Sequence, residues 1–249
     1  MMDQNDSYPT RRSKILVWLI AGGFGVGLVG LALVTVIDGD VSQFPSLSVF
    51  GSSCSDETLT AEQTERRVAW GEANTVDIRL QSSVNVRYRR GDGDAVILRG
   101  APRDIADIAV GKGEIRSTCF RSFARPVEVT LPGRDFRKVH LHGSGTVIME
   151  AVSQRSLELA ISGSGSMAVD GESEDVSVSI SGSGDVSLAN LMVERLAADI
   201  SGSGTVDAAP REVADIDISG SGEVRLFSRP AEGHTNIQGS GRVTDVTGG

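Results

Sequence analysis

The five-residue sequence Ile-Ser-Gly-Ser-Gly occurs four times in this chain, at residues 161–165, 180–184, 200–204 and 218–222. Two further Gly-Ser-Gly triplets, at residues 143–145 and 239–241, extend the series at both ends. The six triplets follow one another at intervals of 20, 19, 20, 18 and 19 residues. A regular repeat of this length is typical of a solenoid in which each repeat forms one coil.

Aliphatic residues recur at fixed positions around each triplet. Two positions before its first glycine stand Leu141, Ile161, Ile180, Ile200, Ile218 and Ile237. Four positions after that glycine stand Val147, Met167, Val186, Val206, Val224 and Val243. The positions between are mostly polar, and this period-two alternation predicts β-strands that enter and leave a glycine corner. In coils stacked about 4.8 Å apart, the two sets would form continuous aliphatic ladders in the interior.

The predicted fold class is all-β: a right-handed parallel β-helix, or solenoid, of coils about 19 residues long, preceded by one N-terminal transmembrane helix. The triplet repeats occupy residues 139–249, and each coil is expected to hold two or three short strands. Residues 64–138 lack the triplet but contain strand-like segments, which we expect to continue into the solenoid and cap its first coil. These segments are Val76–Leu80, Val84–Tyr88, Ala95–Leu98 and Val127–Leu131. The C-terminal coil is expected to leave an open edge.

The N-terminal region contains a long apolar segment. Residues 15–37 include 23 consecutive positions without a charged side chain, enough to cross a hydrocarbon layer of roughly 30 Å as a helix. Basic residues precede this segment, so the positive-inside rule predicts that residues 1–14 form a cytoplasmic tail. Residues 38–63 would then be a linker. The predicted location is the cytoplasmic (inner) membrane, as a single-pass protein with its C-terminal domain periplasmic or extracellular.

The formal net charge of −9 argues against nucleic-acid binding, which requires a basic surface. The two cysteines, Cys54 and Cys119, both follow the apolar segment, where an oxidising compartment would permit a disulfide between them. Two separately buried thiols are the alternative.

Few residues indicate a cofactor or a catalytic centre. The Gly-Ser-Gly loops precede strands rather than a helix, so they do not predict a phosphate site. Calcium-binding β-rolls repeat every nine residues with a regular aspartate, a pattern absent from this sequence. No histidine recurs beside the triplet serines, and His140, His142 and His234 are too scattered to predict a metal site. We therefore predict no cofactor, no metal and no enzymatic activity.

The residues three positions before each triplet are candidates for ligand contact. This set includes Asp199, Asp217 and Asn236, which should lie on adjacent coils and face solvent. Two carboxylates about 4.8 Å apart could attract a cation, contact a glycan or act on a sugar. A solvated surface without a ligand is the alternative.

Several segments resemble the bacterial head GIN domain family, described as putative auto-transporter adhesins. They are Arg67–Trp70, Asn85–Tyr88, Gly113–Arg116, Val127–Pro132 and Val139–Gly145, followed by the recurrent Ile-Ser-Gly-Ser-Gly. The resemblance covers residues 64–246. It implies an extracytoplasmic β-solenoid without a known catalytic site.

The sequence therefore favours a non-enzymatic, membrane-anchored, adhesin-like binding or structural protein of the bacterial envelope. Its partner would be an envelope protein or a glycan, and the chain could also form a homo-oligomer. An accessory role in envelope-stress signalling, through the membrane helix, is one alternative. A polysaccharide-cleaving β-helix enzyme is another.

Overall fold

The computed structural model describes residues 64–80, 83–91, 93–119, 123 and 125–246. Its N-terminal part, before the triplet repeats, consists of seven short strands and one short helix. These are β1 (Glu65–Ala69), β2 (Thr75–Arg79), β3 (Val84–Arg89), β4 (Ala95–Arg99), α1 (Pro102–Ala106), β5 (Ile108–Gly111), β6 (Glu114–Ser117) and β7 (Val127–Thr130). Strands β2, β3, β4 and β7 match the four segments in which alternation predicted strands to within one residue at each end.

The repeat region consists of longer strands that run from one triplet to the next. They are β8 (Lys138–Gly143), β9 (Thr146–Gly163), β10 (Ser166–Gly182), β11 (Asp185–Gly202), β12 (Thr205–Gly220), β13 (Glu223–Leu226), β14 (Glu232–Gly239) and β15 (Arg242–Asp245). A central coil is therefore one strand of 16 to 18 residues, not two or three separate strands. The strand bends at a shift of register, as between Ala168 and Asp170, and so turns without leaving the sheet.

The coils stack in parallel, and the aliphatic ladders are in the interior as predicted. Ile200 pairs with Ile180 on the preceding coil and with Ile218 on the following one. All three are at most 2% exposed. At the last coil the ladder ends, and Ile237 is 39% exposed because no further described strand covers it.

The corner glycines lie directly against one another. Gly202 has a φ of +133°, and a Cβ added there would be 2.2 Å from the carbonyl oxygen of Gly182. That same oxygen accepts a hydrogen bond of 2.8 Å from the amide of Ser203. Glycine is thus required both by the backbone conformation and by the close approach of successive coils.

The N-terminal part covers the first coil. Strand β2 pairs in parallel with β8, and β3 pairs in parallel with β9. Behind β3, the strands β7, β4 and β1 continue the sheet, and β4 is antiparallel to both of its neighbours. An aromatic cluster fills this end of the core, where the Phe136 ring packs edge-on against Trp70 and Tyr88 at centroid distances of 5.8 and 5.6 Å.

The predicted transmembrane helix and the inner-membrane location derived from it are wrong for the structure as described. Residues 15–37 lie outside the described part of the chain. Within that part, no helix is long and apolar enough to cross a membrane. Helix α1 has five residues, a length of about 7.5 Å against the roughly 30 Å of a hydrocarbon core. For the described residues, the fold class is corrected to an all-β solenoid with one short helix.

Candidate functional site: the polar face of the solenoid

The outer surface of the strands that lead into the corners forms one long polar face. Because side chains alternate along a strand, residues three and five positions before each triplet point away from the ladder. The first row consists of His140, Ala160, Ser179, Asp199, Asp217 and Asn236. The second row consists of Lys138, Glu158, Ser177, Ala197, Asp215 and His234. We call these two rows the polar face.

The three residues singled out in the sequence lie together near the C-terminal end of the polar face. Asp199 pairs with Asp217, and Asp217 pairs with Asn236, each on the next coil. All three are exposed. The Asn236 amide donates a hydrogen bond of 2.9 Å to Asp217 Oδ1, so this carboxylate already has a neutral partner. Their contact with a ligand stays a prediction.

Charged side chains on the outside of the coils pair across neighbouring coils. Arg195 Nε donates to Asp175 Oδ1 at 2.5 Å, and its Nη1 donates to Glu212 Oε2 at 3.2 Å. The hydrogen bond from Arg195 lowers the pKa of Asp175 below its usual value. On another side of the solenoid, Arg225 holds both carboxylate oxygens of Asp207 at 2.6 Å. The pairs Asp175–Arg195 and Asp207–Arg225 join residues at equivalent positions of neighbouring coils.

A groove of about 540 Å³ runs beside the second row and crosses several coils. Ser177 and Ala197, whose side chains are small, are among the residues that line it. Charged groups of both signs line it, namely Arg137, Lys138, Glu158, Asp175, Arg195 and Asp215. No aromatic ring lines the groove among the described residues. The groove suits an extended ligand with polar or charged groups of both signs.

At the N-terminal end of the polar face, the fold assembles a cluster that sequence reasoning dismissed. The imidazole rings of His140 and His142 lie side by side, tilted by 36°, with their centroids 3.7 Å apart. Asp77 joins them from β2, which pairs with β8 so that Asp77 lies beside His140. The ligand atoms of the three side chains all lie within 4.8 Å of one another. His234 is not part of this cluster: its Nδ1 lies 3.1 Å from Asp215 Oδ1 at the other end of the face.

One signal for this cluster was present in the sequence. His140 and His142 are two positions apart, and in a strand that spacing places both side chains on the same face. Asp77 is 63 residues before His140, and only the register between β2 and β8 brings it there. The sequence pattern alone therefore could not predict that Asp77 joins the two histidines.

The electrostatics of the cluster favour a neutral imidazole beside an ionised carboxylate. Burial raises the pKa of the Asp77 carboxyl, but the hydrogen bonds and positive charge of Arg79, together with the charges of His142 and His140, more than offset this and lower the pKa below its usual 3.8. Burial lowers the pKa of His140 below its usual 6.5, and the adjacent His142 lowers it further. At neutral pH, Asp77 is thus negative and His140 uncharged.

Cys119 is 3% exposed and is not a free thiol. Its predicted partner, Cys54, lies outside the described residues. The pairing of the two stays a prediction.

Comparison with known proteins agrees with the repeat. Residues 124–230 match the family model described as "Putative auto-transporter adhesin, head GIN domain". A putative adhesin from Bacteroides fragilis NCTC 9343 has a similar solved structure, with a TM-score of 0.57 and 16% sequence identity, over 76% of this chain and 100% of that chain. No curated protein matches the sequence.

A second solved structure, a putative lipid binding protein from Parabacteroides distasonis ATCC 8503, is 15% identical. It aligns over 73% of this chain and 96% of its own, with a TM-score of 0.46. At such identities, the likeness to the Bacteroides fragilis protein supports the fold alone. The match over residues 124–230 confirms the resemblance to the head GIN domain family of putative auto-transporter adhesins that the repeat predicted.

Proposed function

We propose that this protein is a non-enzymatic, adhesin-like binding domain of the bacterial envelope, and that its groove holds an extended segment of a partner protein. The observation that carries the proposal is the groove of about 540 Å³ across adjacent coils. Since the groove crosses several coils, an extended ligand would contact each of them, and several weak contacts together would give a useful affinity.

The lining of the groove favours a polypeptide over a glycan. The charged side chains of the lining pair with one another, Lys138 with Glu158 and Arg195 with Asp175. Because these pairs are partly exposed, a polypeptide with charges of both signs could exchange them for pairs with its own side chains. Sugar-binding sites commonly offer an aromatic ring to the apolar face of a pyranose, and the described lining has none.

One carboxylate of the groove, Asp175, is suited to binding rather than to general-acid catalysis. A general acid needs a raised pKa, so that it still holds a proton at neutral pH. Arg195 lowers the pKa of Asp175 instead and keeps that carboxylate ionised. An ionised, arginine-bound carboxylate is suited to a structural or ligand-binding role.

Filling the groove is expected to abolish adhesion. Ala197→Arg places a long charged side chain on the floor of the groove, and should lower binding of the full chain to its own envelope fragments at least about tenfold. Ala189→Arg, an identical change at an exposed position of the same strand outside the groove, should leave binding unchanged. Adhesion of beads coated with each protein measures the difference.

The same assay separates the two ligand classes. Protease treatment of the fragments should abolish binding, whereas periodate oxidation of their sugars should not. Equal binding by the Ala197→Arg and wild-type proteins would contradict the role of the groove. Binding lost only after periodate would replace the protein partner with a glycan.

A further inference from the structure

We propose that Asp77, His140 and His142 form a binding site for one divalent transition-metal ion, with Zn²⁺ as the reference ion. Two imidazole nitrogens and a carboxylate oxygen are a common protein ligand set for zinc. The harder ions Ca²⁺ and Mg²⁺ prefer sites made of oxygen alone. The ligand set therefore points to a borderline-soft ion and away from calcium.

The backbone already fixes the positions of the three ligands. His140 and His142 point to the same side of β8, and five consecutive residue pairs hold β2 against that strand, from Thr75 with Lys138 to Arg79 with His142. The ligand atoms lie within 4.8 Å of one another. Tetrahedral zinc sites separate their ligand atoms by about 3.3 Å, so small side-chain rotations close the remaining gap.

One nitrogen of the cluster lacks a hydrogen bond. His142 Nε2 is buried and lies 3.1 Å from Asp77 Oδ1, but no described atom meets it at a hydrogen-bonding angle. Buried polar atoms in native proteins nearly always have a partner. A metal ion between His142 and Asp77 would bind this nitrogen and the carboxylate oxygen together.

The surroundings of the cluster support the ligands. His140 Nε2 lies 3.1 Å from Ser162 Oγ on the next coil, a contact that orients the imidazole ring as partners of metal-bound histidines do. The fourth coordination position would face solvent, since the side chains of Asp77 and His142 are 30% and 32% exposed.

Arg79 competes with a metal for Asp77. Its guanidinium donates to both oxygens of Asp77, with Nη2 at 2.8 Å from Oδ2 and Nε at 3.1 Å from Oδ1. The arginine side chain is 56% exposed, and Glu114 Oε1 lies 3.9 Å from its Nε as an alternative partner. A metal ion would displace Arg79 toward Glu114, so removing the arginine charge should strengthen metal binding.

Calorimetric titration of the untagged, metal-stripped full chain with ZnCl₂ tests the site. We expect one Zn²⁺ per chain, and affinity at least about tenfold weaker in both His142→Gln and Asp77→Asn. Arg79→Gln should bind Zn²⁺ more tightly than wild type. His234→Gln, the same change at the other end of the face, should bind as wild type does, and CaCl₂ should not compete.

Two outcomes would overturn the metal site. One is wild-type affinity no greater than that of His142→Gln, with both proteins giving the same metal-free circular dichroism spectrum. The other is an equal loss in His234→Gln. If His142→Gln does not fold, the Zn²⁺ affinity of Arg79→Gln still tests the site. Weaker binding of Zn²⁺ by Arg79→Gln than by wild type would contradict the proposed competition between Arg79 and the metal for Asp77.

Discussion

Replacing Ile200 with aspartate is expected to unfold the middle coils of the solenoid. Ile200 is fully buried in the ladder between Ile180 and Ile218. The change removes about 1.5 to 3 kcal/mol of apolar burial and places a carboxylate between two buried isoleucines. A total cost of at least about 5 kcal/mol is comparable with the whole stability of many domains. Thermal unfolding followed by far-UV circular dichroism measures the loss.

The next residue provides the control. Ser201 is exposed on the opposite side of the strand, so Ser201→Asp introduces the same charge outside the ladder. Its effect should stay within about 0.5 kcal/mol, as is usual for surface substitutions. If Ile200→Asp melts at the wild-type temperature, or if Ser201→Asp is the more damaging change, the register of the coils is wrong.

Replacing Gly202 with alanine is expected to lower the free energy of unfolding by about 3 kcal/mol or more. The new methyl group would lie 2.2 Å from the Gly182 carbonyl oxygen, and a φ of +133° disfavours any side chain. Neither the coil above nor the coil below can move without breaking the hydrogen bonds on both sides of the corner. Urea unfolding at equilibrium measures the change.

Gly233→Ala is the matched comparison. Gly233 lies in β14, where an added Cβ would come no closer than 3.9 Å to another residue, and its φ is not in the left-handed region. The variant should be as stable as wild type or slightly more so, because alanine restricts the unfolded chain. Equal stability of Gly202→Ala and Gly233→Ala would show that the corner glycines do not stack as described.

The repeat was sufficient to predict which side chains meet across the coils. Once the triplets are aligned, the position two residues before each triplet predicts that Ile200 lies between Ile180 and Ile218. The position three residues before each triplet predicts that Asp199 and Asp217 lie on adjacent coils. Both follow because a parallel stack places equivalent positions next to each other. The sequence also indicated strands before the repeat, since β2 and β3 alternate apolar and polar residues as clearly as the coils do.

What the sequence could not predict depends on contacts outside the repeat. Asp77 has no equivalent in the triplet columns, so its position beside His140 follows only from the pairing of β2 with β8. The groove beside Ser177 and Ala197 was equally hidden, because it depends on how far the neighbouring arginine and glutamate side chains extend. Alternation marks those positions as exposed without indicating that they line a groove.

The central claim, that the coils stack in parallel with equivalent residues in contact, can be tested by methyl NOE spectroscopy of the isoleucine-labelled full chain. We expect cross-peaks between neighbours in the ladder, from Ile161 to Ile180, from Ile180 to Ile200 and from Ile200 to Ile218. We expect none between Ile161 and Ile200, because these residues are two coils, or about 9.6 Å, apart. Cross-peaks that skip a coil, or no cross-peak between Ile180 and Ile200, would contradict it.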